Sequence, residues 1–193
     1  MPSVGAIILA AGGSGRLGQP KQLVIFQGQS LVRRAVRAVT ARCPCVAVVV
    51  GDLGAEIEND LGESSATIVP NAEWRSGLGT SIRCGLRHLL GSLPDLDAVV
   101  ILACDQPFVE ASTIAALMAA HERSGKPIVA SSYANTLGIP AFFDRSCFDA
   151  LLALPEQSGA KAIIESRPDD VASIEFEKGA IDIDTPADFE RLR

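Results

Sequence analysis

Ala6-Ile7-Ile8-Leu9-Ala10-Ala11-Gly12-Gly13-Ser14-Gly15-Arg16-Leu17-Gly18-Gln19-Pro20-Lys21 is the stretch on which the fold turns. Residues Ala6 to Ala10 are apolar without alternation, which a strand buried on both faces requires. The glycines that follow permit positive φ, and without a Cβ their N–H groups can approach a phosphate chain. Arg16 and Lys21 lie just beyond, placed to neutralise the charge those amides gather. A purely structural turn would account for the glycines but not for both cations. Gly13-Ser14-Gly15-Arg16-Leu17-Gly18 matches the dinucleotide fingerprint G-x-G-x-x-G by letter. That fingerprint opens a helix directly and is followed by an acidic residue about 20 positions on. Here Pro20 intervenes, and Arg33, Arg34 and Arg37 occupy the acidic position's region. The ATPase P-loop fails as well, because Gln22 and not Ser or Thr follows Lys21.

Working outward, apolar runs alternate with amphipathic segments, the pattern of β-α units around a mostly parallel sheet. Ser30 is placed to cap a helix through Val39. Strands are expected over 46–50, 66–69, 97–103, 127–130, 171–176 and 180–183. Further helices are expected over 55–61, 81–90, from a Ser112 cap to His121, and near 147–152 and 159–165. There is no linker, repeat or low-complexity segment, so residues 1–193 read as one domain. The expected fold is a three-layer α/β/α sandwich with a mostly parallel, Rossmann-like sheet, its chemistry at the strand ends.

Composition excludes several classes. Hydrophobic residues make up 48% and charged residues 21% of the 193, a globular balance that rules out disorder. The 17 basic against 23 acidic residues give a net charge of −6, which argues against nucleic acid or an anionic membrane as partner. No apolar run reaches the roughly 20 residues of a membrane span, and the N-terminus lacks a signal peptide's basic flank, so the reading is cytoplasmic. Five cysteines without a C-x-x-C pair and only two histidines, His88 and His121, point to reduced thiols and no zinc site. Both histidines are expected on solvated helix surfaces.

Two carboxylates stand at turns after apolar runs. Asp105, in Cys104-Asp105-Gln106-Pro107, follows the most hydrophobic segment, and Asp184 precedes Thr185-Pro186. Mg²⁺ takes one or two carboxylates plus substrate phosphate oxygens, which such a pair can supply without His or Cys. Capping of a turn or helix is the alternative for each, and Asp182 rivals Asp184 by the strand period. Gly77, Gly79, Thr80 and Ser81, small residues at a helix start, leave N–H donors and hydroxyls suited to a base's polar edge. A plain N-cap role for Thr80 or Ser81 is the alternative. Asn71 is a further base or ribose contact, and Trp74 reads as an apolar anchor under the loop.

The first loop has the form L-A-A-G-x-S/G-x-R-x-G-x-x-K and resembles that of the MobA-like nucleotidyltransferases, most closely their molybdenum cofactor cytidylyltransferase branch. Asn71-Ala72-Glu73-Trp74-Arg75-Ser76-Gly77-Leu78-Gly79-Thr80-Ser81-Ile82 resembles that family's N-x-x-W-x-x-G-[ML]-x-x-S-[LI] segment. Asp105-Gln106-Pro107 resembles its D-x-P turn, and Asp182-Ile183-Asp184-Thr185-Pro186 its D-[IV]-[DN]-T-P end. The resemblance implies a nucleotide-diphospho-sugar transferase-like fold with a nucleotide-binding half over 1–110 and an acceptor-binding half over 111–193. It implies nucleotide binding by Leu9, Ala10, Ala11, Gly12, Gly13, Gly15, Arg16 and Lys21, with Asn71, Gly79, Thr80 and Ser81 toward the base. Arg16, Lys21 and Asp105 become the catalytic residues, and Asp105 and Asp184 the Mg²⁺ ligands.

The activity implied is transfer of a nucleotidyl group from a nucleoside triphosphate to a phosphorylated acceptor, molybdopterin cofactor, for delivery to a molybdoenzyme. Guanylyl-transferring relatives read L-A-G-G where this chain has Ala11, whose methyl leaves less room, so CTP is expected over GTP. In the acceptor half the family's G-H-P and G-D-x-G-A-R become Gly138-Ile139-Pro140 and Glu156-Gln157-Ser158-Gly159-Ala160-Lys161. Those departures leave a different phosphorylated acceptor open. A cofactor-holding chaperone and an NAD(P)-dependent oxidoreductase are the rivals from other classes.

Overall fold

The structure is a computed structural model that describes residues 3–13, 18–183 and 187–188. In chain order its strands are β1 (Val4–Ala10), β2 (Ile25–Phe26), β3 (Gln29–Ser30), β4 (Cys45–Val50), β5 (Thr67–Pro70), β6 (Ala98–Ala103), β7 (Ile128–Tyr133), β8 (Thr136–Asp144) and β9 (Val171–Glu175). The helices are α1 (Leu31–Thr40), α2 (Gly54–Leu61), α3 (Leu78–Ser92), α4 (Ala111–Ser124), α5 (Phe148–Leu152) and α6 (Ala160–Ser166). Seven strands form one sheet in the order β5-β4-β1-β6-β8-β7-β9, and β2 and β3 form a separate hairpin. Within the seven-stranded sheet only the pairings of β8 with β6 and β7 are antiparallel. The expected three-layer, mostly parallel sandwich is what the chain forms.

The layers follow from side-chain alternation. Along β1, Val4, Ala6, Ile8 and Ala10 join the core beneath α1, α2 and α4, while Ile7 and Leu9 join the core beneath α3, α5 and α6. Every β1 residue is buried, because β4 and β6 pair with it on either side in parallel register. Each fully buried Ile or Leu here contributes roughly 1.5–3 kcal/mol. Helix α1 starts where Ser30 accepts a hydrogen bond from the Arg33 N–H, and it buries Leu31, Val32, Ala35, Val36 and Val39. No helix among the described residues is long and apolar enough to cross a membrane.

Four expectations need correction. The α4 cap is Glu110, in a capping box with Thr113, not Ser112, so the helix starts before that serine. Strand β8 was not foreseen, since Gly138 and Pro140 interrupt its pattern, and a register shift at Ala130/Ser131 accommodates it beside β7. Residues 180–183 form no strand: a 3₁₀ turn covers Glu177–Ala180, and both flanks of β6 are already taken by β1 and β8. His88 and His121 are both half-buried and not fully solvated; the His121 ring lies 4.5 Å from that of Phe142 and its Nδ1 2.8 Å from the Lys126 carbonyl.

Candidate active site

Strands β1 and β6 run parallel and end together, so the glycine loop after Ala10 and the turn after Ala103 emerge side by side. Between them opens a cleft of about 770 Å³. It is lined by Gly12, Gly13 and Lys21 of the glycine-loop segment, by Asp105, Gln106 and Asp182, and by Leu78, Ser81, Tyr133 and Ile139. This is the carboxyl end of a parallel sheet, where ligands of open α/β folds bind.

Gln22 shapes the loop. It is buried, and its Nε2 donates to the carbonyls of Ala10 and Gly12, each at 2.8 Å. Those two bonds fix the loop's carbonyls inward. Lys21 next to it reaches across the cleft, its Nζ 2.5 Å from Asp105 Oδ2, with both side chains more than four-fifths buried. Gly12 gives way to Lys21, the lysine Cε lying 3.6 Å from where a Cβ would stand.

The Asp105 turn is held from two further sides. Arg34 donates from Nε and Nη2 to the Pro107 carbonyl at 3.2 and 2.9 Å. The N–H of Ile183 donates to the Asp105 carbonyl at 3.1 Å, which brings the 181–183 segment against the first carboxylate turn. Phe26, Phe108 and Ile183 pack in one small cluster with Val24 and Leu31, so the β2-β3 hairpin ties these segments together. Gln106 bonds the carbonyls of Ile139 and Gly179 through its Nε2 at 3.1 and 3.0 Å, while its buried Oε1 has no partner among the described residues. Tyr133 fits where a Cβ on Gly138 or Gly179 would collide, and donates to the Ile139 carbonyl at 3.0 Å. Burial, then the Asp182 and Asp105 charges, push its hydroxyl pKa up, so it stays a proton donor at neutral pH.

At the other end, Asn71 is buried and donates through Nδ2 to the hydroxyls of Thr80 and Ser81 at 2.9 and 3.0 Å. The Thr80 hydroxyl in turn lies within hydrogen-bond distance of the Glu73 and Gly77 carbonyls. Asn71 and Thr80 thus brace the start of α3, and Ser81 lines the cleft. Gly77 and Gly79 sit against the 155–158 turn, where a Cβ on Gly79 would meet the Pro155 carbonyl at 2.1 Å. The Gly79 N–H donates to the Glu156 carbonyl at 2.9 Å. That turn cannot retreat without losing this bond, so Gly79→Ala is expected to cost about 1–3 kcal/mol of stability, read as a lower melting temperature.

No group of three or more His, Cys, Asp or Glu side chains that would form a metal cage exists among the described residues. All five cysteines are free, and burial raises each thiol pKa, Cys43 to about 12, so none is an activated nucleophile.

The sequence matches the MobA-like NTP transferase domain family over residues 6–171. The chain belongs to that family. Over its full length this MobA-like protein is 26% identical to the nicotine blue oxidoreductase of Paenarthrobacter nicotinovorans, across 97% of that relative. Among solved structures it resembles the Rv0371c homologue of Mycobacterium sp. strain JC1, with 32% identity and a TM-score of 0.80 over 100% of this chain and 96% of that one. The manganese complex of Rv0371c from Mycobacterium tuberculosis H37Rv shares the fold, with 22% identity and a TM-score of 0.74 over 98% and 97% of the two chains.

In this MobA-like site, Leu9, Ala11, Gly12, Gly13, Lys21, Ser81 and Asp105 all line the one cleft. Ala10 lies behind it, buried, with Asn71, Gly79 and Thr80 in supporting positions. Gly15, Arg16 and Asp184 lie outside the described residues. Asp182, the rival to Asp184, borders the cleft. Sequence reading missed Gln22, Tyr133 and the role of Gln106. Gln22 carries the one usable signal, a glutamine next to a loop lysine.

Proposed function

We propose that this protein is a nucleotidyltransferase that takes CTP and transfers CMP to a phosphorylated acceptor, releasing pyrophosphate. The observation carrying this is the Lys21–Asp105 pair facing the glycine loop across one cleft. The acceptor phosphate attacks the α-phosphorus, forming a new P–O bond as the bond to the β-phosphate breaks. That nucleophile is already ionised at neutral pH, so no general base is needed, in keeping with a cleft that lacks His and an activated Cys. The chain's contribution is positioning and charge neutralisation. The loop amides, Arg16 and Lys21 hold the triphosphate, and Gly79, Thr80 and Ser81, set by Asn71, present Ser81 toward the base.

Asp105 with Asp184 are the proposed Mg²⁺ ligands, and Asp182 stands two residues before the latter. The donor set fits: hard carboxylate oxygens, which among the described residues form no closed cage, leave positions for phosphate. When bound, Mg²⁺ neutralises charge on the phosphate oxygens. In the proposed division, residues 1–110 serve the nucleotide and 111–193 the acceptor within one cytoplasmic domain over 1–193.

Molybdopterin cofactor is the proposed acceptor, passed on to a molybdoenzyme, on the strength of the motif resemblance. Lys161, the counterpart of the family's arginine, does not line the cleft and pairs with Glu165 at 3.6 Å. The test is incubation with α-labelled CTP, Mg²⁺ and molybdenum cofactor. A labelled dinucleotide with equimolar pyrophosphate supports the proposal, and transfer from GTP alone overturns the choice of base. Ala11→Gly is expected to relax discrimination against GTP, and an unchanged CTP/GTP preference in that variant refutes the steric account of Ala11. The full-length relative named as an oxidoreductase supplies the rival reading, which NADPH binding without triphosphate binding would favour.

A further inference from the structure

The charged side chains bordering the cleft among the described residues are Lys21, Arg75, Asp105 and Asp182. Their formal charges cancel, yet a triphosphate stays anionic even with a divalent cation bound. Lys21 pairs with Asp105, which also lines the cleft. Arg75 is different, because its partner lies outside the cleft. Its Nη2 is 2.5 Å from Asp52 Oδ2, in a pair whose side chains are 70% and 59% exposed. Asp52 lines an adjoining hollow that shares Ala11, Gly12, Gly13 and Trp74 with the cleft, and is not itself among the cleft-lining residues.

Arg75 lies over the Trp74 indole. Its guanidinium carbon lies 4.5 Å from the Trp74 ring centroid. Trp74 Nε1 donates to Asp52 Oδ1 at 3.1 Å, so one carboxylate holds both side chains. The indole fills the space beside Gly51, where a Cβ would come within 2.8 Å, and reaches the loop at Gly13, 3.6 Å from a Cβ there. Arg75 is thereby stacked on a tryptophan that touches the glycine loop. Exposed ion pairs contribute little, whereas arginine gains charge-assisted, bidentate bonds from phosphate. Exchanging Asp52 for a phosphate is therefore favourable.

We propose that Arg75 is a phosphate-binding residue of this cleft, parked on Asp52 until a polyphosphate displaces the carboxylate. The inference rests on the reading that the cleft takes a triphosphate. It adds a cation outside the glycine loop and a carboxylate that competes with the ligand. A latch that merely fixes the Trp74 segment makes the opposite prediction for Asp52, which separates the two roles.

The test is calorimetric titration of inorganic tripolyphosphate and of CTP, each with Mg²⁺, into wild type, Arg75→Ala, Arg75→Lys and Asp52→Asn. Arg75→Ala is expected to weaken both ligands by about tenfold, the lower end for a charge-assisted hydrogen bond, and Arg75→Lys by less. Asp52→Asn keeps an oxygen for the indole N–H but removes the competing charge, so it is expected to tighten both ligands severalfold. Unchanged affinity in Arg75→Ala, a loss for CTP but not tripolyphosphate, or weakening by Asp52→Asn each overturns the inference and leaves the nucleotidyltransferase reading standing. A wild type that binds neither ligand overturns both.

Discussion

Asp105→Ala is expected to lower turnover by at least about a hundredfold, the scale of losing one preorganised electrostatic group at a reacting centre. The reason lies in how tightly this carboxylate is specified. Its main chain is fixed by the Ile183 N–H at 3.1 Å and by the Arg34 clamp on the Pro107 carbonyl two residues on. Its side chain stands against the Lys21 ammonium in the cleft. Removing it takes away the proposed metal ligand and leaves a largely buried ammonium without this partner. Asp105→Asn separates the two effects, since it keeps shape and hydrogen bonding while deleting charge. Turnover in steady-state pyrophosphate release should fall for both variants, with the circular dichroism spectrum of Asp105→Asn retained.

Lys21→Ala is the second large effect, expected at about a hundredfold or more in turnover on the same grounds. Lys21 is one residue from Gln22, whose bonds to the Ala10 and Gly12 carbonyls set the loop, so its backbone position is imposed by the fold. The loss should persist at saturating nucleotide, because the lysine faces Asp105 and, in the proposed function, the phosphates as well. Arginine is not expected to rescue it: its planar fork is larger than the compact ammonium that fits beside Gly12. Near-wild-type turnover in both Lys21→Ala and Asp105→Ala contradicts the assignment of this cleft as the active site.

Much of this site was legible because its signals are local. A strand that is apolar on both faces, a glycine loop and two cations point to a phosphate cradle within 16 residues, and the structure brings Gly12, Gly13 and Lys21 into the lining of one cleft. The Ser30 cap was likewise a matter of neighbouring residues. What escaped depends on partners distant in sequence. Gln22 bonds carbonyls 10 and 12 residues away, and Gln106 and Tyr133 meet at the Ile139 carbonyl from separate elements. The antiparallel β8 hid behind Gly138 and Pro140, residues that weaken a strand pattern but are tolerated here by a register shift in β7. The alternation at Ala180–Ile183 was real but misleading, because the sheet had no open edge beside β6. Only Ile183 is buried there, and it packs on the hairpin cluster, not in the sheet.

The most direct test of the central claim is a calorimetric titration of CTP, GTP, ATP and UTP into the purified wild-type protein, with and without Mg²⁺. Selective, Mg²⁺-dependent binding of CTP is the predicted result. Failure to bind any triphosphate under either condition contradicts a nucleotidyl-transfer function for this cleft.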